Sequence, residues 1–310
     1  MKILITGGSG LVGSALKKIT KDFKYEFIFL SSKDCDLTSY QQTYDCFQIH
    51  KPDYVIHCAA NVGGLFKNIS QKVQMFEDNT LITINVFKCC HQFNVKKVIN
   101  ILSTCIFPDK IQYPITEEQL HNGPPHDSNN AYAFAKRNGD ILAQAYNEQY
   151  NMNIISVIPT NIYGMYDNFS LKDGHVIPAL IHKCYLAKEK DEDFVICGSG
   201  KPLRQFIYNI DLAKIIIYLL IEYQEKKNMI VCPNDEISIG EVGTYIAECF
   251  NYTHKLTFDK TLSDGQYKKT CSNNRLMQLL PGFKFTSFKD GISTTINWFK
   301  NNYENVRKKE

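Results

Sequence analysis

The sequence predicts an α/β fold, a Rossmann-type doubly wound parallel sheet with a smaller interleaved substrate-binding lobe. Short β-branched runs alternate with helical stretches through the first half, and a glycine-rich turn follows the first run at once. After about residue 160 the alternation breaks down without any Pro/Gly/Ser linker. Strands joined by helix-length crossovers pair in parallel with helices on both faces. A change of pattern without a linker argues for a second lobe interleaved with the first, not a detached domain.

In chain order, strands are expected at Lys2 to Thr6, Glu26 to Leu30, Tyr54 to His57, Val98 to Leu102 and Ile154 to Ile158. The segments Leu11 to Asp22, Thr38 to His50, Gln71 to Phe93 and Ala131 to Tyr150 have the length and apolar spacing of crossover helices. Beyond them the sequence predicts a helix over Val176 to Lys188, a strand over Phe194 to Cys197, and Arg204 to Tyr208 leading into a helix over Ile210 to Glu222. The last helix, Phe288 to Tyr303, carries the only tryptophan, Trp298, expected in the core. Residues 1–164 and 205–232 are read as the cofactor-binding domain, and 165–204 with 233–310 as the substrate-binding lobe.

The chain has 310 residues, 44% of them hydrophobic, which is enough for a sizeable core and argues against disorder. Its net charge of +3 comes from 35 basic and 32 acidic residues intermixed along the chain, so no basic stripe points to nucleic acid or a membrane surface. Eleven cysteines without a C-x-x-C pair favour neither a disulfide framework nor a zinc site, and a reducing, cytoplasmic setting fits them. The adjacent Cys89 and Cys90 read as helix packing. The chain opens directly on a strand, with no signal-peptide pattern, and its longest apolar run, Ile215 to Ile221, is too short to span a bilayer.

The string Thr6-Gly7-Gly8-Ser9-Gly10-Leu11-Val12-Gly13 lies where a strand gives way to a helix. Without side chains the backbone can approach a pyrophosphate, whose charge then meets free amides at the helix N-terminus. Gly7, Gly10, Leu11, Val12 and Gly13 are therefore candidate dinucleotide-binding residues. After the second strand stand Ser31, Ser32 and Lys33, where an acidic residue would bind the ribose hydroxyls of NAD. Hydroxyls and a cation favour NADP(H), with Ser31 and Lys33 at the 2′-phosphate. Asp34 or Asp36 would reverse that preference if the strand ended slightly later. Asp36 and Leu37 are expected to border the adenine, with Asp36 or Thr38 capping the next helix as the alternative. The small residues after His57, among them Ala59, leave room for the dinucleotide, and His57 itself reads as structural.

Two further strings carry chemistry. Ser103-Thr104-Cys105 ends the fourth strand, and Tyr132-Ala133-Phe134-Ala135-Lys136 opens the following helix. Tyr132 and Lys136, at i and i+4, share a helical face, so the ammonium is expected to lower the phenol's pKa and hold the nicotinamide ribose. Ser103 is expected to donate to a substrate carbonyl.

The stretch Leu102 to Pro108, with His121 to His126 and Pro159-Thr160-Asn161-Ile162-Tyr163-Gly164, resembles the GDP-L-fucose synthases, extended short-chain dehydrogenases. So do Asp173-Gly174-His175-Val176-Ile177-Pro178, Arg204 to Tyr208 and Ser263 to Lys269, which together span nearly the whole chain. The resemblance implies an epimerase and NADPH-dependent reductase acting on a GDP-linked 4-keto-6-deoxy sugar. It makes Cys105 the base that removes the protons flanking the ketone, His175 the acid that returns them to the opposite face, and Tyr132 the proton donor in reduction. It places Pro159, Asn161, Ile162 and His175 along the cofactor. For the substrate it points to Asn161, Lys183, Arg204 and Lys268, with Cys197 at a position that is usually aromatic. Relatives with this pattern are homodimers packed through two helices per subunit, here 71–93 and 131–150. Two other readings remain: another nucleotide-sugar epimerase or reductase with a tightly held cofactor, and a silent NADP-sensing protein. The presence of Ser103, Tyr132 and Lys136 argues against the second.

Overall fold

The computed structural model describes every residue except Asp22, Ser263, Gly265, Lys309 and Glu310. The end of the first expected helix and part of the Ser263 to Lys269 string therefore lie outside the described residues. The chain runs β1 (Lys2–Thr6), α1 (Leu11–Ile19), β2 (Glu26–Leu30), α2 (Tyr40–His50), β3 (Tyr54–His57), α3 (Leu65–Ser70), α4 (Lys72–Gln92), β4 (Lys97–Ile101), α5 (Asn130–Tyr150), β5 (Ile154–Pro159) and β6 (Asn161–Tyr163). It continues with α6 (Val176–Lys190), β7 (Phe194–Cys197), β8 (Leu203–Arg204), β9 (Phe206–Tyr208), α7 (Asn209–Ile221), β10 (Met229–Val231), β11 (Ile237–Ser238), α8 (Ile239–Phe250), β12 (Leu256–Asp259), α9 (Asn274–Leu279) and α10 (Phe288–Asn301).

The central sheet has six strands in the order β10-β5-β4-β3-β1-β2, all parallel. From β1 the chain goes out to β2 on one side and returns to β3 on the other. The strand order therefore reverses at β1, and the crevice beyond the carboxyl ends of β1 and β3 is where such sheets take ligands. One core cluster packs α1 and α7 on one face of the sheet, through Leu16, Leu212 and Ile216 against Ile3, Ile5 and Ile99. Another packs α2, α4 and α5 on the opposite face, through Phe47, Phe87 and Ala143 against Leu4, Val55 and Val98. Cys89 and Cys90 are fully buried in this second layer.

Helix α2 begins at Tyr40, and its cap is Ser39, whose hydroxyl accepts from the Gln42 amide. Neither Asp36 nor Thr38 caps it: the Asp36 carboxylate instead accepts from the Thr38 amide and hydroxyl at 3.0 and 2.7 Å. The sixth strand, β10, was not among those expected from the sequence. It is a three-residue apolar run after the polar stretch 224–228, too short to show a period.

The second lobe gathers α6, α8 and α10 around Phe169, Ile181, Phe194, Ile196, Ile246 and Phe299, with the small strand pairs β7/β12, β8/β11 and β6/β9 beside them. Trp298 packs half-buried at the edge of this core, its ring 4.6 Å from that of Tyr166. Helix α8, unmarked by the sequence reading, starts with a capping box between Ser238 and Glu241.

Candidate active site

At the end of β1 the backbone itself makes a cradle. Gly7 has φ of +68°, and a Cβ on it would lie 2.8 Å from the Ala59 amide nitrogen. A Cβ on Gly13 would lie 2.4 Å from the Gly7 carbonyl oxygen. Neither position accepts a side chain without moving backbone, so the turn is built for close approach. The Gly10 amide closes the turn onto the Gly7 carbonyl at 2.9 Å, and Gly10 caps α1 without a side chain, leaving Leu11 and Val12 at an uncapped helix start. Thr6 ties the neighbouring strand ends together: its hydroxyl accepts from the Ala59 amide at 3.2 Å and is hydrogen-bonded to His57 Nδ1 at 2.8 Å. Burial, with the Lys136 charge, drives the pKa of His57 down to about 3, so it is a neutral, structural ring.

The carboxylates that threatened the cofactor preference are spent within their own turns. Asp34 accepts from the Ser31 hydroxyl and amide at 2.6 and 2.8 Å, bonds that hold it below the usual carboxylate range. Asp36 is held by Thr38 as described. Lys33 stands exposed beside them. Leu37 is buried, and its carbonyl accepts from Asn85 of α4 at 2.9 Å. The glycine cradle and the Ser31 to Lys33 turn fit an NADP dinucleotide lying across the carboxyl edge of the sheet.

Ser103 leaves the end of β4 and precedes a 3-10 turn, Thr104–Ile106. Its oxygen accepts from the Cys105 amide at 3.4 Å, so its hydrogen is left to donate elsewhere. On α5, Lys136 is buried and donates to the Ile101 carbonyl at 3.0 Å, at the end of the same strand. Burial lowers its pKa to about 8, with Cys58 and Cys105 pulling it back.

Tyr132 departs from expectation. Its pKa is raised, first by burial and then by the Cys105 charge, and the anticipated lowering by Lys136 has no part in it. Loss of water around the phenol sets the direction of the shift. The direction suits a proton donor, because it keeps the phenol protonated.

Cys105 is half-buried, and burial raises its pKa while Lys269, the Ser103 hydrogen bond and Lys136 pull it down. His175 takes the cap position at the start of α6 without making a capping bond. The residue is exposed, and desolvation by the protein near its ring lowers its pKa.

Lys183 lies half-buried two turns further along α6, and Cys197 is exposed at the end of β7. Arg204 donates to the Leu203 and Gln266 carbonyls at 2.7 and 2.6 Å. The Asn161 side chain donates to the Gln205 carbonyl at 3.1 Å, while Pro159 is buried at the end of β5 and Ile162 half-buried in β6.

Lys268 is turned aside into an ion pair with Glu236 at 3.2 Å. Burial lowers the pKa of its neighbour Lys269, with the Cys105 charge pulling it back. The resemblance pointed to Lys268 alone; the charge of Lys269 near Cys105 shows only once the segment is folded.

A glycine cradle, a Ser-Tyr-Lys group and a flanking thiol at one sheet edge define a nucleotide-dependent oxidoreductase of the short-chain type. The chain belongs to the NAD dependent epimerase/dehydratase family, which matches residues 3–240. It is 51% identical to the GDP-L-fucose synthase of Dictyostelium discoideum, over 99% of this chain and 97% of that protein. It is 43% identical to a probable GDP-L-fucose synthase of Drosophila melanogaster, over 99% of each. Its fold superposes with a TM-score of 0.96 on a GDP-L-fucose synthetase from Naegleria fowleri bound to NADP, at 48% identity over 99% of this chain and 95% of that one.

Proposed function

We propose that this chain converts GDP-4-keto-6-deoxy-D-mannose to GDP-L-fucose, inverting carbons 3 and 5 and then reducing carbon 4. The observation that carries the reading is Cys105, held on a turn between Ser103 and the Tyr132–Lys136 face and coupled to Lys269. A simple reductase has no use for a thiol beside its carbonyl, whereas a ketone at carbon 4 acidifies the hydrogens on both neighbouring carbons. Cys105 removes each proton, His175 returns one to the opposite face, and the Ser103 hydroxyl stabilises the oxyanion formed between the two events. Burial favours the neutral form of both groups. Lys269 favours the thiolate, and the substrate diphosphate favours the imidazolium. NADPH, when bound, supplies the hydride for carbon 4. Tyr132 gives its proton to the oxygen, and Lys136 holds the ribose. Asn161, Lys183 and Arg204 meet the charged end of the substrate.

Residues 1–164 and 205–232 hold the cofactor, and 165–204 with 233–310 the sugar nucleotide. The chain works as a homodimer through α4 and α5, supported by exposed Val73, Phe76, Leu81, Ile84, Phe134 and Ile141 on those helices. It works in the cytoplasm, a setting that suits eleven free cysteines. Among the described residues no helix is long and apolar enough to cross a membrane.

The test is to supply NADPH and the keto-sugar in heavy water and locate the label. Deuterium at carbons 3 and 5 of the reduced product is expected. In Tyr132→Phe reduction should fall by roughly 10²- to 10⁴-fold while exchange at both carbons persists. Loss of exchange together with reduction would end the two-stage account.

A further inference from the structure

Arg137 follows Lys136 on α5 and is buried, yet among the described residues no carboxylate pairs with it: its hydrogen bonds go to main-chain carbonyls. Nε and Nη2 both donate to the Ile106 carbonyl, and Nη1 donates to the Gly123 carbonyl at 2.7 Å. Ile106 is the last residue of the 3-10 turn whose middle residue is Cys105. Gly123 belongs to the loop that closes on Asp109 through the Pro124 carbonyl at 2.9 Å. One guanidinium therefore fastens three separate segments.

The two ends of the Cys105 turn are held differently. On the Ser103 side the chain is anchored by the sheet, through the Leu102 amide on the Val157 carbonyl at 2.8 Å and by Lys136 on Ile101 at 3.0 Å. Beyond Cys105 the Ile106 carbonyl is held by Arg137. Removal of that fork leaves Ser103 in register with Tyr132 and frees Cys105 to move. A planar fork makes such a set of bonds in one fixed geometry, whereas an ammonium is a compact charge on a flexible stem.

We infer that Arg137 is a positioning residue that sets the Cys105 turn in register with the Tyr132–Lys136 helix, and so fixes the order of inversion before reduction. This rests on the reading of Cys105 as the base. If the turn drifts, proton abstraction slows while hydride transfer to carbon 4 continues. The enzyme then releases 4-reduced sugar nucleotide that has not been inverted.

The experiment compares Arg137→Lys, Arg137→Met and Cys105→Ser in the full chain, with product stereochemistry and solvent deuterium read by NMR. Proton exchange at carbons 3 and 5 should fall by ~10-fold in the lysine variant and ~100-fold in the methionine variant. Single-turnover hydride transfer and NADP affinity should stay within about 3-fold, because a misplaced turn costs the step it serves. Un-inverted product is therefore expected, less of it with lysine. A simple folding defect lowers both steps together without shifting that ratio. Inverted product alone from both Arg137 variants, with Cys105→Ser blocked in inversion, overturns the inference. Normal inversion by Cys105→Ser removes the base reading on which it rests.

Discussion

The cofactor edge of the sheet and the substrate lobe reach their function by opposite means. At the cofactor edge the candidate working atoms are backbone amides, and shape is set by what is missing: Gly7, Gly8 and Gly13 admit no Cβ without moving backbone. In the lobe, on the proposed function, the working atoms are side chains from α6, β8 and the stretch around Lys269, and shape is set by where charges are forced to go. Backbone geometry tolerates no substitution at the contact; side-chain geometry degrades by degrees. The contrast predicts where single changes act hardest.

The largest effect in this comparison falls on the backbone side. Gly13→Ala puts a methyl 2.4 Å from the Gly7 carbonyl oxygen, so the turn must open. NADP affinity should drop by ~100-fold while the fold is retained, since the overpacking costs roughly 1–3 kcal/mol. Cofactor titration by fluorescence checks this; an unchanged dissociation constant would mean the cradle is not the pyrophosphate site.

A sharper contrast comes from the adjacent lysines in the lobe. Lys269→Met should reduce deuterium exchange by ~10-fold or more, because it removes the cation that most favours the Cys105 thiolate. Lys268→Met breaks only the partly exposed pair with Glu236 and should change turnover by less than about 2-fold. If the two variants respond alike, charge near Cys105 is not what matters.

The same division explains what was legible in the sequence. The strands β1, β2 and β3 begin and end on the expected residues, because runs confined by sheet packing and bounded by turn residues leave little choice. The glycine cradle and the Tyr132–Lys136 face were likewise written in local spacing. Contacts between distant segments were not. That the Lys269 charge acts on Cys105 while Lys268 pairs with Glu236, that Arg137 holds Ile106, and that Asp34 is absorbed by Ser31 depend on folded neighbours or on a turn conformation the sequence leaves open. The direction of the Tyr132 shift failed for a related reason: helical spacing reveals a nearby cation and conceals how far water has been expelled.

The last effect concerns stability and tests whether burial in the lobe costs what the charges suggest. Asp167, between β6 and α6, is buried with one carboxylate oxygen unpartnered, while the other accepts from the Asn168 amide at 2.7 Å. Burial raises its pKa from 3.8 to about 7, against the Asn168 hydrogen bond and the Arg307 charge, which lower it. The folded state thus binds this proton more tightly than the unfolded chain does. Its contribution is fully present below about pH 4 and is lost as pH rises through about 7. Asp167→Asn keeps the acceptor for Asn168 and cannot ionise. The variant should match the parent near pH 4 and exceed it at pH 8 by on the order of 4 kcal/mol, or several degrees in Tm. Thermal melts at the two pH values decide it: a difference between variant and parent that does not grow with pH would mean the carboxylate ionises without penalty, and that the loop leading to His175 is wetter than its packing implies.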